Sequence, residues 1–225
     1  MENAPPCENT SGGDTDYHDW YAKDDDEAHH YLQKGYRSTL GHLIYIASTT
    51  RPDTRQSIAV LARYSQRPGK KAFEALMKHV RFLKGTRHWR LTYYGHATKP
   101  VPWEHIRAKV WVDADHASCP ETRKSYTGIA VHIGVASGDG VGACPGGAVQ
   151  WHCKRQGLAT GSTTNATIAQ DNTADVAVHS TDAEVLALLD ACSPVRVIRN
   201  LLAEAGAAGQ PPTEVFTDSL SLIHI

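Results

Sequence analysis

No stretch of this 225-residue chain is apolar for long enough to span a bilayer, and Met1 is followed by polar sequence rather than an apolar leader. These absences predict a soluble, intracellular protein. Cysteine is sparse: Cys7, Cys119, Cys144, Cys153 and Cys192 form no CxxC pair, and their number is odd. That pattern argues for reduced thiols rather than a disulfide framework. No histidine or cysteine falls at finger-like spacing, which argues against zinc, and the isolated pair His29–His30 reads as part of a tail. There is no GxxxxGK[ST] run between a strand and a helix, so the glycine-rich stretch Gly138 to Gly147 reads as a hairpin loop rather than a phosphate cradle. Ser162, Thr163 and Ser180 lack the partner pattern of a Ser-His-Asp hydrolase. No internal repeat is visible.

The net charge of −1 conceals an uneven distribution. Residues 1–35 hold nine acids against Lys23 and Lys34, together with Pro5–Pro6 and Ser11–Gly12–Gly13. Few apolar side chains are there to offset ordering entropy, so this stretch is expected to be disordered. Residues 36–100 hold thirteen Arg or Lys against only Asp53 and Glu74. A one-sided excess of this size favours a polyanionic partner, with nucleic acid the first candidate, over a merely solvated surface.

Within residues 36–100, Leu40, Leu43, Ile44, Ile46 and Ala47 recur at helical spacing. Pro52 breaks that helix and suits the first turn of the next, which runs to about Tyr64. A third helix, Lys70 to Lys84, sets Phe73, Leu76, Met77, Val80 and Leu83 on one face and Lys71, Lys78, Arg81 and Lys84 on the other, with Gly85 as its cap. Arg90 to Tyr94 reads as a strand. Residues 105–225 read as a separate α/β unit with strands at Val110–Ala114, Thr127–Gly134 and Val149–Lys154. A flexible insertion over residues 157–174 precedes a helix from Thr181 that Pro194 is expected to bend or interrupt, and a strand ends at Asp218.

Three acids in this second part occupy three different local settings. Asp113 lies in a strand-like run, Glu184 at the start of a helix and Asp218 at the end of a short strand. Carboxylates from such settings can converge, and converging carboxylates repel unless cations lie between them, so Mg²⁺ or Mn²⁺ is implied. Taken singly, each acid also has an ordinary reading: Asp113 as a strand terminus, Glu184 as a helix-surface acid and Asp218 as a turn cap.

A series of short motifs then becomes recognisable. Tyr36-Arg37-Ser38-Thr39-Leu40-Gly41-His42-Leu43-Ile44-Tyr45, Thr50-Arg51-Pro52-Asp53 and Arg81-Phe82-Leu83-Lys84-Gly85-Thr86 come first. Asp113-Ala114-Asp115, Arg123-Lys124-Ser125-Tyr126-Thr127-Gly128, Val149-Gln150-Trp151, Lys154-Arg155-Gln156, Ser180-Thr181-Asp182-Ala183-Glu184 and Thr217-Asp218-Ser219 follow in order. Over residues 36–219 the chain resembles the copia-type LTR retrotransposon Pol polyprotein, in the part that follows the polymerase palm. The resemblance implies a small helical thumb or connection-like segment at 36–100, followed by an α/β, ribonuclease H-like mixed sheet with helices at 105–225. The implied activity is hydrolysis of RNA in RNA–DNA hybrids with two Mg²⁺ or Mn²⁺ ions about 4 Å apart. Asp113, Glu184 and Asp218 are then catalytic metal ligands, and Lys78, Arg81, Lys84, Arg123 and Lys124 are candidate nucleic-acid contacts. Other segments of the polyprotein are further candidate partners. The palm aspartates are absent, and Asp24-Asp25-Asp26 lacks the flanking apolar strands that would replace them, so no polymerase activity is implied.

Departures from the family pattern are specific. His116 stands at a usual tryptophan, Asp182 at a usual glutamate and Val185 at a usual aromatic. The family domain continues past Asp218 through a helix, a strand and a helix carrying a fourth acid, so the resemblance implies an incomplete domain with weak or lost cleavage. The alternative expectation is a non-catalytic nucleic-acid-binding remnant or a pseudogene product.

Overall fold

The computed structural model describes residues 20–93, 101–116, 119, 124–135, 144–156, 180–207, 209 and 211–218. The chain divides into two compact units, Met1–Leu91 and Thr92–Ile225. Among the described residues no helix is long and apolar enough to cross a membrane.

The first unit is helical. Its helices are α1 (Asp25–Gln33), α2 (Tyr36–Thr49), α3 (Arg55–Ala62) and α4 (Lys70–Gly85), with a 3₁₀ turn at Pro52–Thr54. Proline opens that turn, where its missing N–H costs nothing. Tyr36, Leu40, Leu43, Ala47, Ile58, Leu61, Tyr64, Ala72 and Leu76 form the core. The Tyr36 hydroxyl, fully buried, donates to Leu61 C=O at 2.9 Å.

α1 corrects the expectation of disorder through residue 35, as far as the described residues reach. The Asp24 side chain caps the helix by accepting from Glu27 N–H at 2.7 Å, and Asp25, Asp26 and Glu27 complement the positive helix end. Glu27 accepts in turn from Lys23 N–H at 2.8 Å and from Lys70 N–H, in the first turn of α4, at 3.1 Å. Ahead of the helix, Trp20 enters the core beside Tyr64, with ring centroids 5.4 Å apart. Gly69 N–H donates to Trp20 C=O at 2.9 Å and Ala22 N–H to Arg67 C=O at 3.1 Å. A Cβ on Gly69 would lie 2.7 Å from Tyr21 O, so only glycine permits this approach. A few well-placed caps and one tryptophan outweigh the acidic composition.

α4 packs Phe73, Leu76, Met77 and Leu83 on the core as expected, but its most buried row is rotated from that face. Its buried row is Ala72, Leu76, His79 and Phe82, while Val80 is exposed. The rotation brings His79 into the interior near a buried guanidinium. Arg51 donates to Asp53 through Nε at 2.9 Å and Nη2 at 2.7 Å, and to the Thr86 hydroxyl at 2.8 Å. Phe82 and Trp89 lie 5.4 and 5.6 Å from its carbon. Thus Arg51 fastens the α2–α3 junction to the end of α4. Thr86, rather than Gly85, is the capping residue. The described part of the Arg90–Tyr94 stretch, residues 90–93, is not a strand.

The second unit is a four-stranded mixed sheet, ordered β3-β2-β1-β4, with one long helix. Strand β1 (Ile106–Asp115) pairs antiparallel with β2 (Tyr126–Val135), which pairs antiparallel with β3 (Cys144–Arg155). Strand β4 (Glu214–Phe216) pairs parallel with β1 in the register Val110↔Val215. All four strands lie where the sequence placed them, with β1 and β3 longer than expected and β4 ending before Asp218. Helix α5 (Ser180–Glu204) packs Ala187, Ala191, Ile198 and Leu202 on Ala108, Val110, Val112, Ile129 and Val131. Pro194 does not interrupt it. The small side chains of Ala183, Ala187 and Ala191 form the buried row, whereas the larger Leu189, Val197 and Leu201 are exposed. The expected insertion at 157–174 lies outside the described residues.

Candidate metal centre

Alternation along β1 turns Val110 and Val112 into the core and leaves Asp113 exposed near the strand end. Glu184 projects from the first part of α5 and is 7% exposed. Asp218 follows β4 by two residues. Parallel pairing of β4 beside β1 carries Asp218 toward Asp113, and packing of α5 on the sheet carries Glu184 to the same place. Their carboxylate ligand atoms all lie within 4.8 Å of one another.

The electrostatics follow from that crowding. Burial, then the Asp113 and Asp218 charges, pushes the Glu184 carboxyl above its ordinary range, against the Ala114 N–H and the Thr217 hydroxyl that favour its ionised form. Asp113 is also raised, by burial and then Asp218, with Asp115 adding to the effect and the Ala114 N–H opposing it. Glu184 Oε2 is buried without a hydrogen-bond partner. A buried carboxylate oxygen with no donor, in a residue gathered with two further acids, fits a divalent cation: hard oxygen ligands suit Mg²⁺ or Mn²⁺, and the positive charge relieves the repulsion.

The other sequence-derived candidates are spread over both units. Lys78, Arg81 and Lys84 lie on α4 at spacings that share one face, with Lys78 and Arg81 half-buried and Lys84 exposed. Lys124 lies just ahead of β2, where its C=O accepts from Cys119 N–H at 3.1 Å. Arg123 lies outside the described residues. Asp24 to Asp26 serve as the cap and first turn of α1. Thr217 is the contact that sequence reasoning missed. Its adjacency to Asp218 was the available signal, but a hydroxyl aimed at an acid 33 positions earlier cannot be read from spacing.

No family model matches this sequence, and no solved structure matches it. The "Retrovirus-related Pol polyprotein from transposon TNT 1-94" of Nicotiana tabacum is 28% identical over 190 residues, which is 84% of this chain and 12% of the polyprotein. An uncharacterized mitochondrial protein of Arabidopsis thaliana is 27% identical over 129 residues, 57% of this chain and 46% of that protein. The "Secreted RxLR effector protein 161" of Plasmopara viticola is 26% identical over 121 residues, 54% of this chain and 72% of the effector. The chain thus spans about an eighth of the tobacco polyprotein it matches. Most of this chain is similar to a stretch of a plant retrotransposon Pol polyprotein.

Proposed function

We propose that the second unit is a ribonuclease H-like nuclease of the copia type that hydrolyses the RNA strand of RNA–DNA hybrids. The observation that carries this reading is the meeting of Asp113, Glu184 and Asp218 within 4.8 Å, with Glu184 Oε2 buried and unpartnered. The mixed sheet with a long helix between β3 and β4 supports it, as does the likeness to a Pol polyprotein. Asp113, Glu184 and Asp218 would hold the divalent cations, which supply the charge that activates water and stabilises a leaving oxygen in phosphodiester hydrolysis. The chain's own part is orientation. Thr217 and the Ala114 N–H favour the ionised Glu184 carboxylate, while its buried Oε2 has no hydrogen-bond partner. The basic α4 face with Lys78, Arg81 and Lys84 is assigned to the nucleic-acid backbone, and the helical unit to the connection-like role.

The test is cleavage of a labelled RNA–DNA hybrid in Mg²⁺ or Mn²⁺, with Asp113→Asn alongside. Metal-dependent cleavage lost in the variant supports the reading, and cleavage that survives Asp113→Asn refutes the site. The α4 face favours a second reading, a binding protein that holds hybrid without cutting it. It predicts salt-sensitive binding with no metal-dependent product.

A further inference from the structure

Gln156 lies just past β3, is 6% exposed, and makes two buried hydrogen bonds through its amide nitrogen. Its Nε2 donates to Thr127 Oγ1 at 2.9 Å and to Ala183 C=O at 2.8 Å, while its backbone N–H donates to Ser125 C=O at 2.8 Å. Ala183 is fully buried and immediately precedes Glu184. Thr127 lies opposite Ala114 in the β1–β2 ladder, and the Ala114 N–H is the group that reaches Glu184. The contacts therefore close a ring from Gln156 to Ala183, along the chain to Glu184, across to Ala114, over the ladder to Thr127 and back to Gln156. A helix turn held only by apolar packing can slide along a sheet, whereas a carbonyl tied by a buried amide cannot do so without orphaning both the amide N–H and the carbonyl oxygen.

We infer that Gln156 is a positioning residue for the carboxylate cluster, setting the first turn of α5 so that Glu184 meets Asp113 and Asp218. This rests on the reading of the cluster as a cation site. The competing account is that Gln156 only satisfies buried hydrogen bonds.

Three variants of the whole chain separate the two. Gln156→Leu removes both side-chain donors. Gln156→Glu keeps the shape and can still accept from the Thr127 hydroxyl, but it cannot donate to Ala183 C=O. Thr127→Val keeps the bond to Ala183 and loses only the other. Mn²⁺ affinity is measured by EPR titration, below the unfolding midpoint of every variant, together with amide hydrogen exchange in the first turns of α5. Gln156→Leu and Gln156→Glu are expected to weaken Mn²⁺ binding about tenfold and to speed exchange there, while Thr127→Val binds as the wild type does even where its midpoint falls. Unchanged exchange in folded Gln156→Leu overturns the inference whatever the wild type binds. Loss of affinity in Thr127→Val equal to that in Gln156→Leu overturns it too, because general packing would then suffice. A wild type that binds no Mn²⁺, with exchange still faster in Gln156→Leu, removes the cation reading and leaves the anchoring role in place.

Discussion

Asp113 and Gly128 are directly opposed in the β1–β2 ladder, and a Cβ on Gly128 would meet nothing nearer than Asp113 O at 4.0 Å. Opposed residues of an antiparallel pair point to the same side of the sheet, so the absence of a side chain at Gly128 leaves open the space beside the Asp113 carboxylate. Gly128→Ala is therefore expected to fold, within about 1 kcal/mol of the wild type. Gly128→Leu is expected to fold and bind Mn²⁺ while its hybrid cleavage falls, because the leucine covers the approach to Asp113. Equal cleavage by Gly128→Leu and wild type would show that the substrate does not approach over that position.

The raised carboxyls of Asp113 and Glu184 make the metal-free second unit sensitive to pH in a defined direction. A carboxyl whose folded pKa lies above its unfolded value holds more protons when folded, so stability falls as pH rises from the ordinary carboxylate range through the raised values. The metal-free protein is thus expected to lose part of its stability between mildly acidic and neutral pH. Mn²⁺ or Mg²⁺ should restore it at neutral pH and have little effect where the carboxyls are protonated. Asp113→Asn is expected to raise the metal-free midpoint at neutral pH and to cut Mn²⁺ affinity beyond the ~10–100-fold typical of an outer-shell loss. Thermal melts at mildly acidic and neutral pH, with and without metal, check both signs.

In the helical unit the pH dependence has the opposite sign. His79 is 2% exposed, its Nε2 has no partner, and burial lowers its pKa to about 4, with Asp53 opposing and Arg51 reinforcing the shift. A histidine kept neutral in the fold contributes stability above the unfolded value of 6.5 and loses it as pH falls toward about 4. The loss amounts to at most ~3 kcal/mol. His79→Leu is expected to flatten the stability of the helical unit over that window. An equally steep acid loss in the variant, followed by urea denaturation, would assign the dependence to other groups.

The parts legible in the sequence were those governed by local pattern. Alternation around Val110, Val112 and Ile129 located the strands, Pro52 marked the break between α2 and α3, Gly85 marked the end of α4, and the three acids were picked out by their local settings. The rest depends on contacts between distant residues. Nothing near His79 in sequence says that Arg51, 28 positions earlier, shares its interior, so the buried row of α4 was read one step out of register. The alanines of α5 are weak periodic signals beside Leu189 and Leu201, although close packing on a sheet selects the small residues. Gln156 and Thr217 carry no spacing signal because their partners lie on other elements.

If Lys78, Arg81 and Lys84 bear on phosphates, hybrid binding must weaken with salt in proportion to the contacts made. Replacing all three with alanine is expected to reduce the slope of log affinity against log salt by up to about three, lowering affinity for hybrid and for unrelated duplexes alike. A slope unchanged by the triple replacement would make this face an ordinary solvated surface.

The seating of Trp20 beside Tyr64, and the absence of room for any side chain at Gly69, bear on where this molecule can be cut. A boundary drawn where the acidic composition gives way to basic would strip an indole from the interior, release the amide at the head of α4 from Glu27 and break the pairing of Ala22 with Arg67. Residues 20–35, which look like dispensable leader, thus belong to the folded helical unit, and shortening from the amino end that removes the indole should destabilise it.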